Sequence, residues 1–403
     1  MNAPVIPSRA GLAILLAALA ALAPFSIDTY LPSFPEIGQA LGATPVAVQQ
    51  TLSVYLLAYA IMALWHGAIS DALGRRSVIL WTLAGYALVS FASAFVTAIE
   101  QLWLLRIAQG IVAGAGAVVG RAVVRDLFDG AAAQRLMSHV SMTFAIAPAV
   151  APIVGGWLHI AYGWRSVFVF LALLAIVLWF CCWRWLPETL PMASRQSLRP
   201  SYLFKAYVQA LTSPAFLAIS MAVALNFVGF FIYVLSAPVF ILRHLGASET
   251  EFIWLFGPAM AGLMFGSWLS SRVAGRMTRR ITIMVAYGVM ACAALLNLTF
   301  SFLLPAGLPH SVLPILIYTV GMALAMPSLT LTGLDLFPAR RGLASSCQAF
   351  LQSGTSALAA GILAPLLWHS TQALALGMAG LLTTGALCSV LYAVVAGKNI
   401  PTP

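Results

Sequence analysis

Twelve apolar runs divide this 403-residue chain, and each is long enough to cross a lipid bilayer as a helix of about 20 residues. The predicted spans are 11–32, 46–69, 77–97, 101–123, 136–160, 165–186, 214–241, 250–273, 281–303, 312–335, 342–367 and 371–396. Only 7% of the residues are charged, whereas a soluble protein carries about 25%. The chain is therefore predicted to be an all-α membrane protein with twelve transmembrane helices.

The basic residues lie in short clusters between the apolar runs. If the N-terminus is cytoplasmic, all but three of the 20 Lys and Arg residues fall on the cytoplasmic side, as the positive-inside rule requires. The exceptions are Arg106 within span 4 and Arg165 and Arg243 in outer loops. This placement predicts that both termini are cytoplasmic, and it excludes nucleic acid as a partner. The first run is too long for a signal-peptide core, so we interpret it as a retained span.

A hydrophilic stretch, Pro187–Ser213, separates the first six spans from the last six. We therefore predict an N-terminal six-helix bundle over 1–190, a cytoplasmic linker over 191–213 and a C-terminal bundle over 214–403. A weak internal repeat supports this division, because a Gly–basic segment follows both span 2 and span 8; the second copy lacks the acidic residue. Two repeated halves are typical of transporters.

Asp28 ends the uncharged run that begins after Arg9. A carboxylate at that depth costs about 2.5–3.5 kcal/mol on insertion scales, so such residues usually bind protons or ligands. The alternative is a structural hydrogen bond between helices. Arg106 is the one arginine well inside a span, and a buried cation needs a partner or carbonyl groups. A structural clamp is the alternative role for Arg106.

Three segments carry a resemblance to a known family. Gly67–Arg76, with Gly67, Asp71, Gly74, Arg75 and Arg76, resembles the signature loop of the major facilitator superfamily. Leu105–Gly110 is similar to its span-4 arginine motif, and Ala147–Gly156 resembles its span-5 antiporter motif. In the last segment, Ala147 and Ala151 stand where glycines are common, and they keep the positions small.

Three further segments narrow this resemblance. Ser26–Pro32, Arg125–Phe128 and Leu186–Thr189 resemble the Bcr/CflA family of drug:proton antiporters. The resemblance implies two pseudo-symmetric six-helix bundles, a bacterial inner-membrane location and export of drugs by alternating access. It also implies that the proton gradient supplies the energy without a cofactor. The alternative is a proton-coupled importer or exporter of an endogenous metabolite.

The resemblance also implies roles for individual residues. Asp28 matches the span-1 acid whose protonation competes with drug binding, and Arg106 would lie near the cavity and the proton pathway. Asp71, Arg75 and Asp126 would form an inner charge cluster that acts as a gate. The residues expected to permit bending and close packing of span 5 are Pro148, Pro152, Gly155 and Gly156.

Candidate cavity residues follow from helical spacing. Asn226, Phe230 and Tyr233 share one face of span 7, and Tyr55 and Tyr59 share one face of span 2. Tyr30 is added from the segment after Asp28. An apolar, aromatic pocket with a few polar groups suits flat amphipathic drugs. Lipid-facing or packing aromatics are the alternative for each of them.

The sequence lacks the motifs of other functional classes. No G-x-x-x-x-G-K-[ST] loop is present, which excludes an ATP-driven pump. No spacing of His, Asp or Cys indicates an enzyme or a metal site. The expected partners are the lipid bilayer, protons and a small drug-like molecule, and the protein is expected to act as a monomer.

Overall fold

The computed structural model describes residues 9–128, 130–195 and 200–397. The chain divides into two compact units, Met1–Arg199 and Pro200–Pro403. Parts of the predicted linker (196–199) and both termini lie outside the described residues.

The first unit is built from eight α-helices and two short 3₁₀ turns, Leu31–Ser33 and Met192–Ser194. The helices are α1 (Arg9–Asp28), α2 (Phe34–Ala40), α3 (Pro45–Leu73), α4 (Arg75–Ser93), α5 (Ile99–Ala113), α6 (Ala115–Leu127), α7 (Gly130–Tyr162) and α8 (Arg165–Trp185). Helices α1 and α2 together form the first predicted span, and α5 and α6 together form the fourth.

The second unit continues the same pattern. Its helices are α9 (Pro200–Leu211), α10 (Pro214–Leu235), α11 (Ala237–Val239), α12 (Ile253–Val273), α13 (Arg279–Leu303), α14 (Leu313–Asp335), α15 (Arg341–Leu358), α16 (Ala364–Leu367) and α17 (Thr371–Gly397). Two π-helical turns, Phe240–His244 and Ala359–Leu363, and one 3₁₀ turn, Pro338–Arg340, complete it. Helix α9 occupies much of the predicted linker and packs on α10 and α15.

The predicted all-helical membrane fold is confirmed. In the described part of the chain, eleven helical segments are long and apolar enough to cross a membrane. A twelfth segment lies in α7, whose side chains are described from Ile146 onward and are apolar. Large apolar side chains such as Trp81, Leu88 and Leu303 are 78%, 71% and 74% exposed, as expected for a surface that faces lipid rather than water.

Helix starts follow local sequence signals at most spans. Thr44 precedes Pro45, and the Thr44 hydroxyl accepts a hydrogen bond from the Ala47 amide at 3.2 Å, which caps α3. Span 8 differs from the prediction, because α12 begins at Ile253 rather than at residue 250. The residues Ser248–Glu251 have the spacing of a capping box, and the Glu251 carboxylate accepts hydrogen bonds from the Ser248 amide and hydroxyl, both at 2.8 Å; these bonds stabilise a turn before the helix.

Small residues allow close helix packing within each unit. In the first unit, a Cβ at Gly110 would overlap the Tyr55 carbonyl, and one at Gly116 would lie 2.8 Å from the Leu19 carbonyl. In the second unit, Gly262 and Gly266 form a G-x-x-x-G pair on α12 that abuts the backbone of α14. Because lipid supplies no hydrophobic drive between helices, such close contacts are a main source of stability.

Candidate functional site

Asp28 is the last residue of α1 and is 4% exposed. Its Oδ1 atom is buried without a hydrogen-bond partner in the described part of the chain. Burying an unpaired carboxylate charge is costly, so the neutral form is favoured until a charged group or water reaches it. Asp28 is thus a buried acid with spare hydrogen-bonding capacity, which is what a proton site requires.

Helix α7 closes one side of the Asp28 segment. A Cβ at Gly155 would overlap the backbone of Thr29, the residue after Asp28. Helix α7 runs unbroken through Pro148 and Pro152, and Gly156 is buried. The glycine of the antiporter-like motif therefore lets α7 touch the chain beside the acid.

Arg106 is fully buried on α5. One guanidinium nitrogen, Nη1, donates to the Ser26 carbonyl and hydroxyl, both at 3.2 Å, and to Gln109 Oε1 at 2.8 Å. The Ser26 carbonyl is among the last four of α1, which have no partner within the helix. Gln109 in turn donates to the Ser90 hydroxyl at 2.8 Å, so this network joins α1, α5 and α4.

Two tyrosine rings enclose the Arg106 guanidinium. Its central carbon lies 4.8 Å from the Tyr30 ring centre and 4.3 Å from the Tyr55 ring centre. Both tyrosines are fully buried, and the Tyr30 hydroxyl is hydrogen-bonded to that of Thr51. Desolvated cation–π contacts of this kind stabilise a buried cation by about 2 kcal/mol.

The structure does not bring Arg106 and Asp28 into an ion pair. Both side chains are described, and no nitrogen–oxygen distance between them is within 4.0 Å. The positive charge of Arg106 is instead held by carbonyl, hydroxyl and aromatic groups. Because Tyr30 and Tyr55 are occupied by Arg106, these two predicted cavity residues present no open surface in this conformation. Tyr59 is half-buried, with its ring centre 6.3 Å from that of Tyr55.

The predicted cavity residues of span 7 lie on α10 and are buried. The Asn226 side-chain amide donates to the Tyr287 hydroxyl at 2.9 Å, and the Asn226 backbone carbonyl accepts a hydrogen bond from the Tyr318 hydroxyl at 3.1 Å. Tyr233 accepts from Asn297 at 2.6 Å. Phe230 is 4% exposed. In this conformation Asn226 and Tyr233 hold helices of the second unit together, and their role toward a substrate stays a prediction.

Asp71, Arg75 and Asp126 lie in contact at the end of the first unit where α3 meets α4. Arg75 Nη1 lies 2.5 Å from Asp71 Oδ1, and its Nε lies 3.2 Å from Asp126 Oδ2. The Arg75 backbone amide also donates to Glu188 Oε1 at 2.9 Å. Arg75 is 7% exposed although it is charged, because two carboxylates pair with its guanidinium group. We call Asp71, Arg75, Asp126 and Glu188 the charge cluster.

Glu188 is the member of the charge cluster that the sequence did not predict. It follows α8 in a motif identified only by resemblance. Gly74 explains why it fits: this residue has a φ of +99°, and a Cβ there would lie 2.5 Å from the Glu188 carboxylate. Gly74 alone forms the turn between α3 and α4. Gly67, the other glycine of the segment that resembles the signature loop, lies inside α3 with open space around it and is not part of this turn. Arg76, the last residue of the same segment, donates a hydrogen bond to the Trp183 carbonyl at 2.6 Å.

The second unit has a counterpart of the charge cluster. Asp335, at the end of α14, lies 2.7 Å from Arg279 and 2.9 Å from Arg341. A short sequence repeat indicates this similarity between the two units: Asp126-Leu127-Phe128 ends span 4, and Asp335-Leu336-Phe337 ends span 10. The second copy thus keeps an acid, at the end of span 10 rather than after span 8. Within the described ranges, no group of three His, Cys, Asp or Glu residues could hold a metal ion.

Comparison with known proteins agrees with this architecture. The model of the Major Facilitator Superfamily matches residues 16–360, and the chain belongs to this family of membrane transporters. An uncharacterized MFS-type transporter of Bacillus subtilis, YdgK, is 32% identical over 350 residues, which cover 86% of each chain. A chloramphenicol resistance protein of Pseudomonas aeruginosa is 30% identical, over 81% of this chain and 78% of that one.

More distant similarities extend over the same length. Multidrug resistance protein D of Escherichia coli is 26% identical over 88% of each chain. Among solved structures, the human organic anion transporter MFSD10 has a TM-score of 0.69 at 17% identity and covers 96% of this chain and 100% of that chain. At that identity the similarity shows the fold, a helical transporter bundle.

Proposed function

We propose that this protein is a proton-coupled antiporter that exports amphipathic, drug-like compounds. Asp28 carries the proposal: it is a buried carboxyl group with an unsatisfied oxygen in a chain of the Major Facilitator Superfamily. Relatives named for multidrug, bicyclomycin and chloramphenicol resistance support export and the Bcr/CflA branch. The protein would act as a monomer in the bacterial inner membrane, with both termini cytoplasmic and no cofactor.

The chemistry needs only a proton and a change in local charge. When Asp28 is protonated, its charge is removed and the buried site is stable; when it releases the proton, the exposed carboxylate favours hydration or a cationic partner. Each proton that enters down a membrane potential contributes about 2.3 kcal/mol per 100 mV. Arg106 would keep the region electrostatically positive, and its carbonyl and aromatic contacts hold it in place in either state of Asp28.

A drug-susceptibility panel tests this function. An efflux-deficient bacterium would express the wild type, Asp28→Asn and Asp28→Glu at equal levels in the membrane. We expect the wild type to protect against chloramphenicol or related compounds and Asp28→Asn to fail. Asp28→Glu keeps a titratable carboxyl group and is expected to retain part of the protection. An Asp28→Asn variant with full protection and unchanged pH dependence would rule out the proton role.

The panel also separates export from the alternative function. Absence of protection across chemically varied drugs would favour transport of an endogenous metabolite. The predicted orientation can be read independently from reporter fusions after the last helix: alkaline phosphatase should be inactive there and a fluorescent protein should fold.

A further inference from the structure

Polar side chains form a stripe along one face of α3, a helix whose other faces are largely apolar. Successive residues rotate by about 100° around a helix, so the positions of the polar stripe share an arc of about 100°. The polar stripe consists of Thr51, Tyr55, Tyr59, His66 and Ser70. A polar face that continues along a membrane helix needs a function or partners.

The polar stripe connects the two charged regions of the first unit. At one end, Thr51 binds the Tyr30 hydroxyl and Tyr55 stacks on Arg106, two residues of the Asp28 region. At the other end, the Ser70 hydroxyl accepts a hydrogen bond from Arg75 Nη1 at 2.6 Å. Thus α3 carries polar groups from the buried acid to the charge cluster.

His66 lies in the middle of the polar stripe and is 1% exposed. Its ring lies beside the Ile111 carbonyl, yet neither ring nitrogen makes a hydrogen bond of normal geometry in the described part of the chain. A Cβ at Gly114 would lie 3.3 Å from His66 Nδ1 and 3.2 Å from Tyr59 Cε2. The imidazole and the phenol therefore both lie against Gly114, between α5 and α6. Buried polar groups are normally paired, so an unpaired imidazole at this place calls for a function.

Charged and titratable groups near His66 are carried by α3 and by the helices that pack against it. Besides His66, the charged groups and tyrosines on α3 and on the helices that pack against it are Tyr55, Tyr59 and Asp71 on α3, Glu36 on α2, Arg75, Arg76 and Tyr86 on α4, Glu100 and Arg106 on α5, and Arg121, Arg125 and Asp126 on α6. Glu36 is engaged by His159 and Trp164, and Asp71 and Asp126 are engaged by Arg75. Glu36, Asp71 and Asp126 are thus already paired, and Glu100 is exposed in the first turn of α5.

We propose that His66 is a proton-relay residue between the Asp28 region and the charge cluster. The proposal rests on the proton-coupled function proposed above. A proton released by Asp28 reaches the ring nitrogen on the Tyr59 side. The other nitrogen then releases its own proton toward Ser70, and water at the Asp71 side chain, which is 40% exposed, accepts that proton. No bond between heavy atoms changes and no electron is transferred. The neutral ring that remains is the other tautomer, and rotation of the ring resets it.

Proteoliposomes distinguish a relay from a structural role. Purified full-length protein would be reconstituted with chloramphenicol, and two rates would be measured: tracer exchange without a gradient, and accumulation driven by a pH gradient. Exchange needs no net proton transfer, whereas driven accumulation does. We expect His66→Gln to keep the wild-type exchange rate and to lose about 100-fold in driven accumulation. His66→Asn, which keeps a polar group near Nδ1, guards against a folding defect of the first variant.

The control variant is His310→Gln, which removes an imidazole outside α3 and should keep both rates. A relay would be overturned if both His66 variants kept driven accumulation, or if folded variants lost exchange and accumulation equally. Tyr59→Phe should lower driven accumulation more than exchange, because it removes the hydroxyl group beside the ring.

A second measurement does not depend on transport. If the wild type neither exchanges nor accumulates chloramphenicol, the proposed function fails for this compound, and ¹⁵N NMR of histidine-labelled protein decides the relay. The signals absent from His66→Gln should show a neutral ring that exchanges between its Nδ1–H and Nε2–H tautomers, because each relay step converts one tautomer into the other. A ring fixed in a single tautomer would overturn the relay.

Discussion

Arg106 stacks on Tyr55, with the guanidinium carbon 4.3 Å from the ring centre, and both residues are fully buried. The contact explains how an arginine without a carboxylate partner is tolerated within a membrane-spanning helix. The ring supplies a negative face, while Ser26 and Gln109 accept hydrogen bonds from one nitrogen.

Arg106→Lys is expected to destabilise the protein by about 1–2 kcal/mol, because an ammonium group cannot stack on two rings and bind three oxygens at once. The measurement is the thermal unfolding of the purified variant in detergent. Arg165→Lys is a matched control, since Arg165 also stacks on a ring, that of Trp164, at 4.3 Å but is exposed. Equal effects of the two substitutions would contradict the importance of burial at Arg106.

Gly155→Ala is expected to cost about 1–3 kcal/mol, because the added Cβ would overlap the Thr29 backbone and force α7 away from α1. Gly288→Ala on α13 is the control: nothing lies within 4 Å of its Cβ position, and alanine favours a helix by about 1 kcal/mol over glycine. Unfolding midpoints of the two variants should therefore move in opposite directions. A Gly155→Ala protein as stable as the wild type would show that α7 is free to shift.

Asp126→Asn is expected to weaken the charge cluster, because Asp126 Oδ2 accepts from both Arg75 Nε and the Thr189 hydroxyl. Asp335→Asn provides the comparison in the second unit. The side chains of its partners Arg279 and Arg341 are 53% and 62% exposed, whereas the Arg75 side chain is 9% exposed. Exposed ion pairs contribute little to stability, so Asp126→Asn should lower the unfolding midpoint more than Asp335→Asn does.

The gating role predicted for Asp71, Arg75 and Asp126 can be tested by a separate measurement. Asp71→Asn should reduce the transport rate while drug affinity, measured by equilibrium binding, stays nearly unchanged. The reason is that the cluster lies at the basic end of the unit and not beside Asp28. A selective loss of affinity would contradict this role.

Glu251 gives the second unit a pH-dependent contact outside the membrane-spanning helices. Hydrogen bonds from the Ser248 amide and hydroxyl hold the pKa of Glu251 below its ordinary value. A lowered pKa in the folded state means that the stabilisation is complete above the unfolded pKa of about 4.3 and is lost as the pH falls through the folded pKa. Glu251→Gln should therefore be less stable than the wild type at neutral pH, and the difference should disappear in acid. Unfolding curves at several pH values would show whether the difference persists.

The number and order of the spans could be predicted from the sequence because apolar length is a direct consequence of bilayer thickness. The N-cap of α3 was also predictable, since Thr44-Pro45 acts locally. The start of α12 was not: the Ser248–Glu251 spacing is the same in a capped helix and in an isolated turn, and only packing beyond Ile253 decides between them.

The residues of the candidate site could be predicted where a charged residue lies in an apolar run. They could not be predicted where the contact partners are far apart in the sequence. Asp28 and Arg106 stand out because each is a charged group within an apolar run. Glu188 approaches the Arg75 amide across 113 residues, and no local pattern encodes that contact. The dual use of Tyr30 and Tyr55 as Arg106 partners was also hidden, because helical spacing indicates a shared face but not which group covers it.

The Gly155 contact has a mechanical consequence. Helix α7 and the Thr29 backbone meet with no spare volume between them, and protein interiors are nearly incompressible at such contacts. If the chain at Asp28 moves when the proton arrives or leaves, α7 cannot stay where it is. A displacement beside the acid would then be passed along a 33-residue helix, and the far end of α7 would move together with the Asp28 segment.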